Sequence, residues 1–184
     1  MTSQEQIALL KKKIAKLEKL VYLDSLTNLY NRRGFTQLAN NYLKTAFRVS
    51  RGRRKNELAN LALIFLDLDN FKKINDKYGH QTGDQVLKAV ANLLKQSLRT
   101  TDLIGRWGGE EFVILLTNVS QEDALKVARK LQTKLAQSSF GSVKLTASFG
   151  LIFPKKFESL ESLINRADKL MYQAKKSGKN QIKY

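Results

Sequence analysis

Leu103-Ile-Gly-Arg-Trp-Gly-Gly-Glu-Glu-Phe-Val-Ile-Leu-Leu116 is two short apolar runs around a glycine pair. Each run has the length and composition of a strand, and Gly108-Gly109 supplies the tight connection, so the stretch predicts a hairpin. Its tip carries adjacent carboxylates, Glu110 and Glu111. Upstream, Leu61 to Leu66 is a continuous apolar run that ends at Asp67, with Asp69 two residues later. Such a run predicts a strand buried on both faces.

The rest of the order follows from periodicity. Val86, Leu87, Val90, Ala91, Leu94 and Leu98 mark a helix between the first strand and the hairpin. Ser120 and Asp123 predict a capping box opening a second helix, whose apolar face is Ala124, Val127, Ala128, Leu131 and Leu135. Val143 to Phe153 reads as one long strand before the only proline, Pro154. A last helix uses Leu160, Leu163, Ile164, Ala167, Leu170, Met171 and Ala174, with Gly178 at C′. Gln181 to Tyr184 reads as an edge strand. From Leu61 the order is therefore strand, helix, strand, strand, helix, strand. That predicts an α+β fold with a ferredoxin-like, palm-type βαββαβ core, an antiparallel-centred sheet flanked by helices.

This order has a geometric consequence. A right-handed crossover makes the first and second strands parallel, with the third antiparallel between them. The end of the first strand then meets the hairpin tip, and Asp67 converges with Glu110 and Glu111. Close carboxylates repel unless a cation joins them. The chain has no cysteine, so a metal would be held by oxygen, which favours Mg²⁺ or Mn²⁺. Two such ions could bridge the phosphates of a nucleoside triphosphate.

Asn70-Phe-Lys-Lys-Ile-Asn-Asp-Lys-Tyr-Gly-His-Gln-Thr-Gly-Asp84 follows Asp67 and Asp69 closely. Backbone N–H groups after a strand can cradle phosphate, and Lys72 can add a point charge. Asn75 and Asp84 suit a base edge. His80, the single histidine, is read only as a pocket residue.

Before the first strand, Ile7, Leu10, Ile14, Leu17 and Val21 are spaced 3, 4, 3, 4. The seam predicts a stalk over 1–23 that pairs with a second copy, ahead of a domain over 24–184. A helix over Phe35, Leu38, Ala39, Tyr42, Leu43, Ala46 and Phe47 comes next. A basic loop follows, with Arg48, Arg51, Arg53, Arg54 and Lys55. The formal charge of +17 implies attraction to polyanions. No apolar stretch reaches the roughly 20 residues of a membrane span. The N-terminus lacks the layout of a signal peptide, so a cytoplasmic location is expected.

Five stretches, in this order and spacing, resemble the GGDEF domain of diguanylate cyclases. They are Asp24-Ser-Leu-Thr-Asn-Leu-Tyr-Asn-Arg-Arg33, Phe65 to Asp84, Arg106-Trp-Gly-Gly-Glu-Glu-Phe112, Thr146-Ala-Ser-Phe-Gly150 and Ala167-Asp168 to Gly178. The resemblance implies a dimer that condenses two GTP into cyclic di-GMP and releases pyrophosphate. It implies Asp67, the Leu68 carbonyl, Glu110 and Glu111 as metal ligands, with Glu110 or Glu111 also the base. It places Lys72 and Lys175 at the phosphates, Asn75 and Asp84 at guanine, and Asn70, Phe71, His80 and Lys179 among the other substrate-binding residues. Arg99 and Asp102 resemble the family's inhibitory product site. Two positions depart from the pattern. Asn28 replaces a usual glycine at a turn that needs positive φ, which asparagine tolerates. Lys179 replaces a usual arginine, keeping the charge but losing the fork.

Two other functions compete. A catalytically silent relative would bind cyclic di-GMP or GTP without turnover. An RNA-binding domain shares the element order, but Phe112-Val-Ile-Leu-Leu lacks its stacking pattern, so no nucleic-acid partner is expected. An upstream sensor is expected if the chain is a fragment.

Overall fold

The computed structural model describes residues 3–50, 60–154 and 158–184. Helices α1 (Ser3–Tyr22) and α2 (Arg32–Ser50) precede the sheet. Then come β1 (Leu61–Leu68), α3 (Phe71–Tyr78), α4 (His80–Ser97), β2 (Leu103–Gly108), β3 (Glu111–Thr117) and α5 (Gln121–Gln137). The chain ends with β4 (Ser139–Phe140), β5 (Val143–Lys144), β6 (Ala147–Ile152), α6 (Leu160–Lys176) and β7 (Ile182–Lys183).

The main sheet has the order β2-β3-β1-β6-β7. β1 is antiparallel to both β3 and β6, and β2 is antiparallel to β3, so β1 and β2 run parallel as the crossover requires. All eight residues of β1 are buried, because helices cover both faces. Ala62, Ile64, Leu66 and Leu68 pack with α3, α4 and α5 through Ile74, Val86, Leu94 and Leu131. The alternate residues Leu61, Leu63 and Phe65 pack with Phe35 and Leu43 of α2 and with Leu163, Ala167 and Met171 of α6. α6 lies so close to β6 that a Cβ on Gly150 would fall 1.9 Å from the Ala167 carbonyl oxygen.

Two local outcomes differ from the sequence reading. The polar segment after Asp69 is helical: α3 and α4 are continuous except at Gly79, whose φ of 83° breaks them. Only Phe71 and Ile74 of α3 are buried, too few to reveal a helical period. The long strand expected over Val143–Phe153 is two strands. At the break, the Thr146 carbonyl accepts the Asp69 N–H (2.8 Å) instead of continuing a ladder. The edge strand at the C-terminus is present as β7, parallel to β6.

The expected caps are present. Ser120 Oγ accepts from Asp123 N at 3.1 Å, and Gly178 follows α6 at φ 110°. Asn28 adopts φ 54°, so the turn survives its asparagine. α1 is tied to the domain at its C-terminal end, where Asn31 Nδ2 donates to the Val21 and Leu23 carbonyls. Ile7, Leu10 and Val21 of the seam are exposed. The side chains of Ile14, Leu17, Ala46, Phe47 and Arg48, and residues Arg51, Arg53, Arg54 and Lys55, lie outside what is described. Among the described residues no helix is long and apolar enough to cross a membrane.

Candidate active site

The register of the sheet assembles the site. Asp67 of β1 faces Glu111 of β3 as a cross-strand pair, and Leu68 N donates to the Glu110 carbonyl at 3.3 Å. The forty-odd residues between them are absorbed by α3, α4 and β2. Lys175, on the last turns of α6, brings its Nζ to 2.7 Å from Asp67 Oδ1. The contact is an ion pair at hydrogen-bonding distance, and no hydroxyl or backbone donor among the described residues reaches the buried Oδ1.

Charges at this edge are poised by burial. Burial pushes the Asp67 carboxyl up to about 6; Lys175 opposes this, while Glu110 and Glu111 add to it. Glu111 is also raised, first by burial and then by Asp168, with Lys175 and Arg32 pulling the other way. Among the described residues no three acidic or imidazole side chains close around one point as a ligand set. Asp67, Glu110 and Glu111 adjoin, as the strand order predicts, with the Lys175 ammonium as the nearby cation. A buried carboxylate oxygen met only by an ammonium, beside two more carboxylates, still has the chemistry of a divalent-ion site.

The hairpin tip is braced from the opening segment. Between Arg106 and Gly108 the ladder slips, and Arg106 turns back: its Nε donates to the Gly109 carbonyl at 2.9 Å. Its Nη1 reaches both Asp24 oxygens at 3.2 Å. Burial alone would raise the Asp24 carboxyl. The Thr27 hydroxyl and N–H, together with Arg106, outweigh burial and hold it below the usual carboxylate range. Tyr30 extends this brace, since Arg106 N donates to its carbonyl at 2.8 Å.

Asp69 is the residue that sequence reasoning passed over. Its buried carboxylate accepts from Thr146 Oγ1 (2.6 Å), Ser148 Oγ (2.7 Å) and Asn180 N (3.0 Å). It thereby joins the end of β1 to β6 and to the turn after α6. The available signal was a second aspartate two positions on, facing the same side as Asp67.

That turn places Lys179, whose Nζ donates to Asn70 Oδ1 at 2.6 Å, beside the start of α3. Asn70 itself is left-handed (φ 58°) at the start of α3. Lys72 is exposed on the first turn of α3. Phe71 is buried, so only its backbone is available to a ligand. Asn75 leans on Gly83, where a Cβ would fall 1.9 Å from Asn75 Oδ1. The two helices thus bring Asn75 next to Asp84. His80 is exposed at the first position of α4.

On the far side of the hairpin, Asp102 accepts from Arg99 N (3.0 Å) and Thr117 N (3.1 Å). Its carboxylate is engaged by backbone, and the Arg99 side chain is exposed. Both residues line a cleft of about 330 Å³ that includes Tyr30 and Lys95.

A model of the family "Diguanylate cyclase, GGDEF domain" matches residues 21–181, and the chain belongs to that family. It is 38% identical to diguanylate cyclase VdcA of Vibrio cholerae over 96% of this chain and 51% of that protein. It is 40% identical to diguanylate cyclase DgcS of Shewanella oneidensis over 85% of this chain and 50% of that protein. The chain thus spans about half the length of these relatives. Among solved structures it is similar to the coiled coil and GGDEF domain of DgcB from Caulobacter crescentus, determined in complex with c-di-GMP. The TM-score there is 0.85 at 25% identity, covering 98% of this chain and 94% of that one.

Proposed function

We propose that the protein is a diguanylate cyclase that condenses two GTP into cyclic di-GMP, each chain of a homodimer presenting one GTP. The observation that carries this reading is the pairing of Asp67 with Glu111 across two strands, with Lys175 at 2.7 Å. Acids that can hold a cation and a base that can hold phosphate then share one sheet edge. Lys72, Lys175 and Lys179 bind phosphates as point charges, helped by backbone N–H groups at Asn70 and Phe71. Asn75 and Asp84 take guanine. An aspartate accepting N1–H and N2–H₂ favours guanine over adenine, which leaves it short of donors.

Asp67, the Leu68 carbonyl, Glu110 and Glu111 are the oxygens that would hold Mg²⁺ or Mn²⁺; when bound, the ion neutralises phosphate charge. The 3′-oxygen of one GTP attacks the α-phosphorus of the other, and pyrophosphate leaves with the electrons of the broken P–O bond. Glu111, its carboxyl raised by burial, suits the role of base that accepts the 3′-hydroxyl proton; Glu110 is the alternative. Phosphoryl transfer needs positioning and charge neutralisation more than a reactive nucleophile.

One site cannot join two GTP, so association belongs to the mechanism. Exposed Ile7, Leu10 and Val21 supply an apolar seam for pairing two α1 helices. Product feedback through Arg99 and Asp102 completes the reading, because an exposed guanidinium can fork onto a base edge or phosphate. An upstream sensor that controls the pairing fits a chain that spans half its relatives.

Purified protein with GTP and Mg²⁺ is expected to yield cyclic di-GMP by mass, with specific activity falling on dilution. Binding of cyclic di-GMP without any product from a dimeric, metal-loaded sample would favour a silent binding module instead.

A further inference from the structure

A cleft of about 550 Å³ opens between α2 and α6, on the sheet face opposite α3 and α4. Asn75 and Asp84 therefore do not contribute to it. We propose that this cleft is a second nucleobase site, and that its ligand is guanine in neutral form. Its size is within the range of small-molecule sites.

The floor is aromatic. Phe65 and Trp107 meet edge to face with centroids 6.3 Å apart, and Trp107 is only half-buried. The Arg32 guanidinium lies 4.6 Å from the Trp107 ring centroid. A flat ring can stack on the exposed part of Trp107 beside this guanidinium, as bases do on aromatic planes.

The walls then select among flat rings. Among the described residues that line the cleft Arg32 is the one cation, against Glu111, Glu161 and Asp168, in a chain whose formal charge is +17. A phosphate would meet three carboxylates, so the ligand does not place its charge here. A cationic ring would meet Arg32 over the aromatic face. What remains is a neutral planar group rich in donors along one edge, with acceptors for an arginine on another. Guanine has both: N1–H and N2–H₂ for a carboxylate such as Asp168, and O6 and N7 for the Arg32 fork. Adenine lacks the N1–H donor. The side-chain amides of Asn40 and Asn165 can serve either edge. The proposal does not depend on the protein making cyclic di-GMP.

Trp107 is the only tryptophan and lies in the cleft, so it reports occupancy. The test titrates guanosine, without phosphate or metal, into the full chain carrying Asp84→Ala, which disables the α3–α4 corner. A saturable change in Trp107 emission is expected, with adenosine at least tenfold weaker. Asp168→Asn should weaken guanosine by tenfold or more at unchanged circular dichroism. Asn165→Ala, at an exposed position, should weaken it severalfold and serves if the first variant does not fold. No saturable change, equal affinity for adenosine, or loss of the signal on Asp84→Ala alone would overturn the site. A saturable Trp107 response to an arginine amide, with none to guanosine, would assign the cleft to a cationic partner and overturn it equally.

Discussion

Two buried aspartates stand two residues apart at the end of β1 with opposite fates. Asp69 is saturated, taking two hydroxyls and one backbone N–H within 3.0 Å. Asp67 is met by the Lys175 ammonium at 2.7 Å and by no hydroxyl or backbone donor among the described residues, and its carboxyl is pushed up to about 6. A carboxylate with all its donors holds a fold together; one met only by an ammonium fits the ligand-holding role proposed for Asp67. The contrast assigns structure to Asp69 and chemistry to Asp67, and each assignment can be broken separately.

The largest effect is expected at Asp67. Asp67→Ala should lower cyclic di-GMP synthesis by about 10³-fold or more, the scale of losing a principal electrostatic contact in phosphoryl transfer. The melting temperature should hold or rise. A parallel fall in melting temperature would mean that Asp67 is structural like its neighbour.

Asp69→Asn should do the reverse. It removes an acceptor shared by three donors, so a loss of roughly 3 kcal/mol in denaturant stability is expected, by analogy with broken buried networks. Retention of full stability would show that Thr146, Ser148 and Asn180 find other partners. The comparison would then lose its structural half.

The pH dependence separates the two in one curve. Asp67 has a folded pKa of about 6, above its unfolded value, so the folded state holds its proton more tightly. Its ionisation penalty is full above pH 6 and vanishes as pH falls toward about 4. Without metal, the wild-type protein should therefore gain on Asp67→Asn as pH falls through this window. The variant's advantage, about 1–3 kcal/mol at pH 7, should shrink toward zero near pH 4. Asp24, held below its usual value, acts with the opposite sign: its stabilisation is lost only as pH drops through its own lower pKa. A pH-independent difference between the two proteins would remove the strained carboxylate from the argument.

A smaller effect is expected at the brace. Asp24→Asn weakens the hold on Arg106 and so on the Gly109 carbonyl, without touching substrate. A partly exposed ion pair of this kind is worth about 1 kcal/mol, so kcat should fall severalfold while KM for GTP barely moves. A change confined to KM would mean that the brace does not position the hairpin.

How much of this was legible beforehand depended on the range of each interaction. The convergence of Asp67 with the Glu110-Glu111 tip followed from strand order, since crossover handedness leaves one arrangement, while the register that pairs Asp67 with Glu111 did not. Lys175 on Asp67 and Arg106 on Asp24 join residues 108 and 82 positions apart through side chains, and no local period encodes such contacts. Lys175 was reached only through the family resemblance. Asp69 was hidden because a buried acid looks the same in sequence whether its donors exist or not. Its grip on Thr146 also broke the strand expected over 143–153. α3 was given no element because only Phe71 and Ile74 mark its buried face.

The smallest test concerns Lys179. It sits at φ 64°, a conformation that costs any residue with a Cβ, and its ammonium is engaged by Asn70 Oδ1 at 2.6 Å. An arginine there would keep the charge and add a planar fork able to hold Asn70 and a phosphate together, which a lysine point charge does less well. Lys179→Arg should therefore lower KM for GTP about two- to threefold with kcat unchanged, a gain of about 0.5 kcal/mol in uniform binding. Position 179 hangs from Asn180, which Asp69 anchors, so the same gain should disappear in an Asp69→Asn background. Additive effects of the two substitutions would show that the saturated aspartate does not place the turn that carries Lys179, and the division of labour between Asp67 and Asp69 would stop at the strand itself.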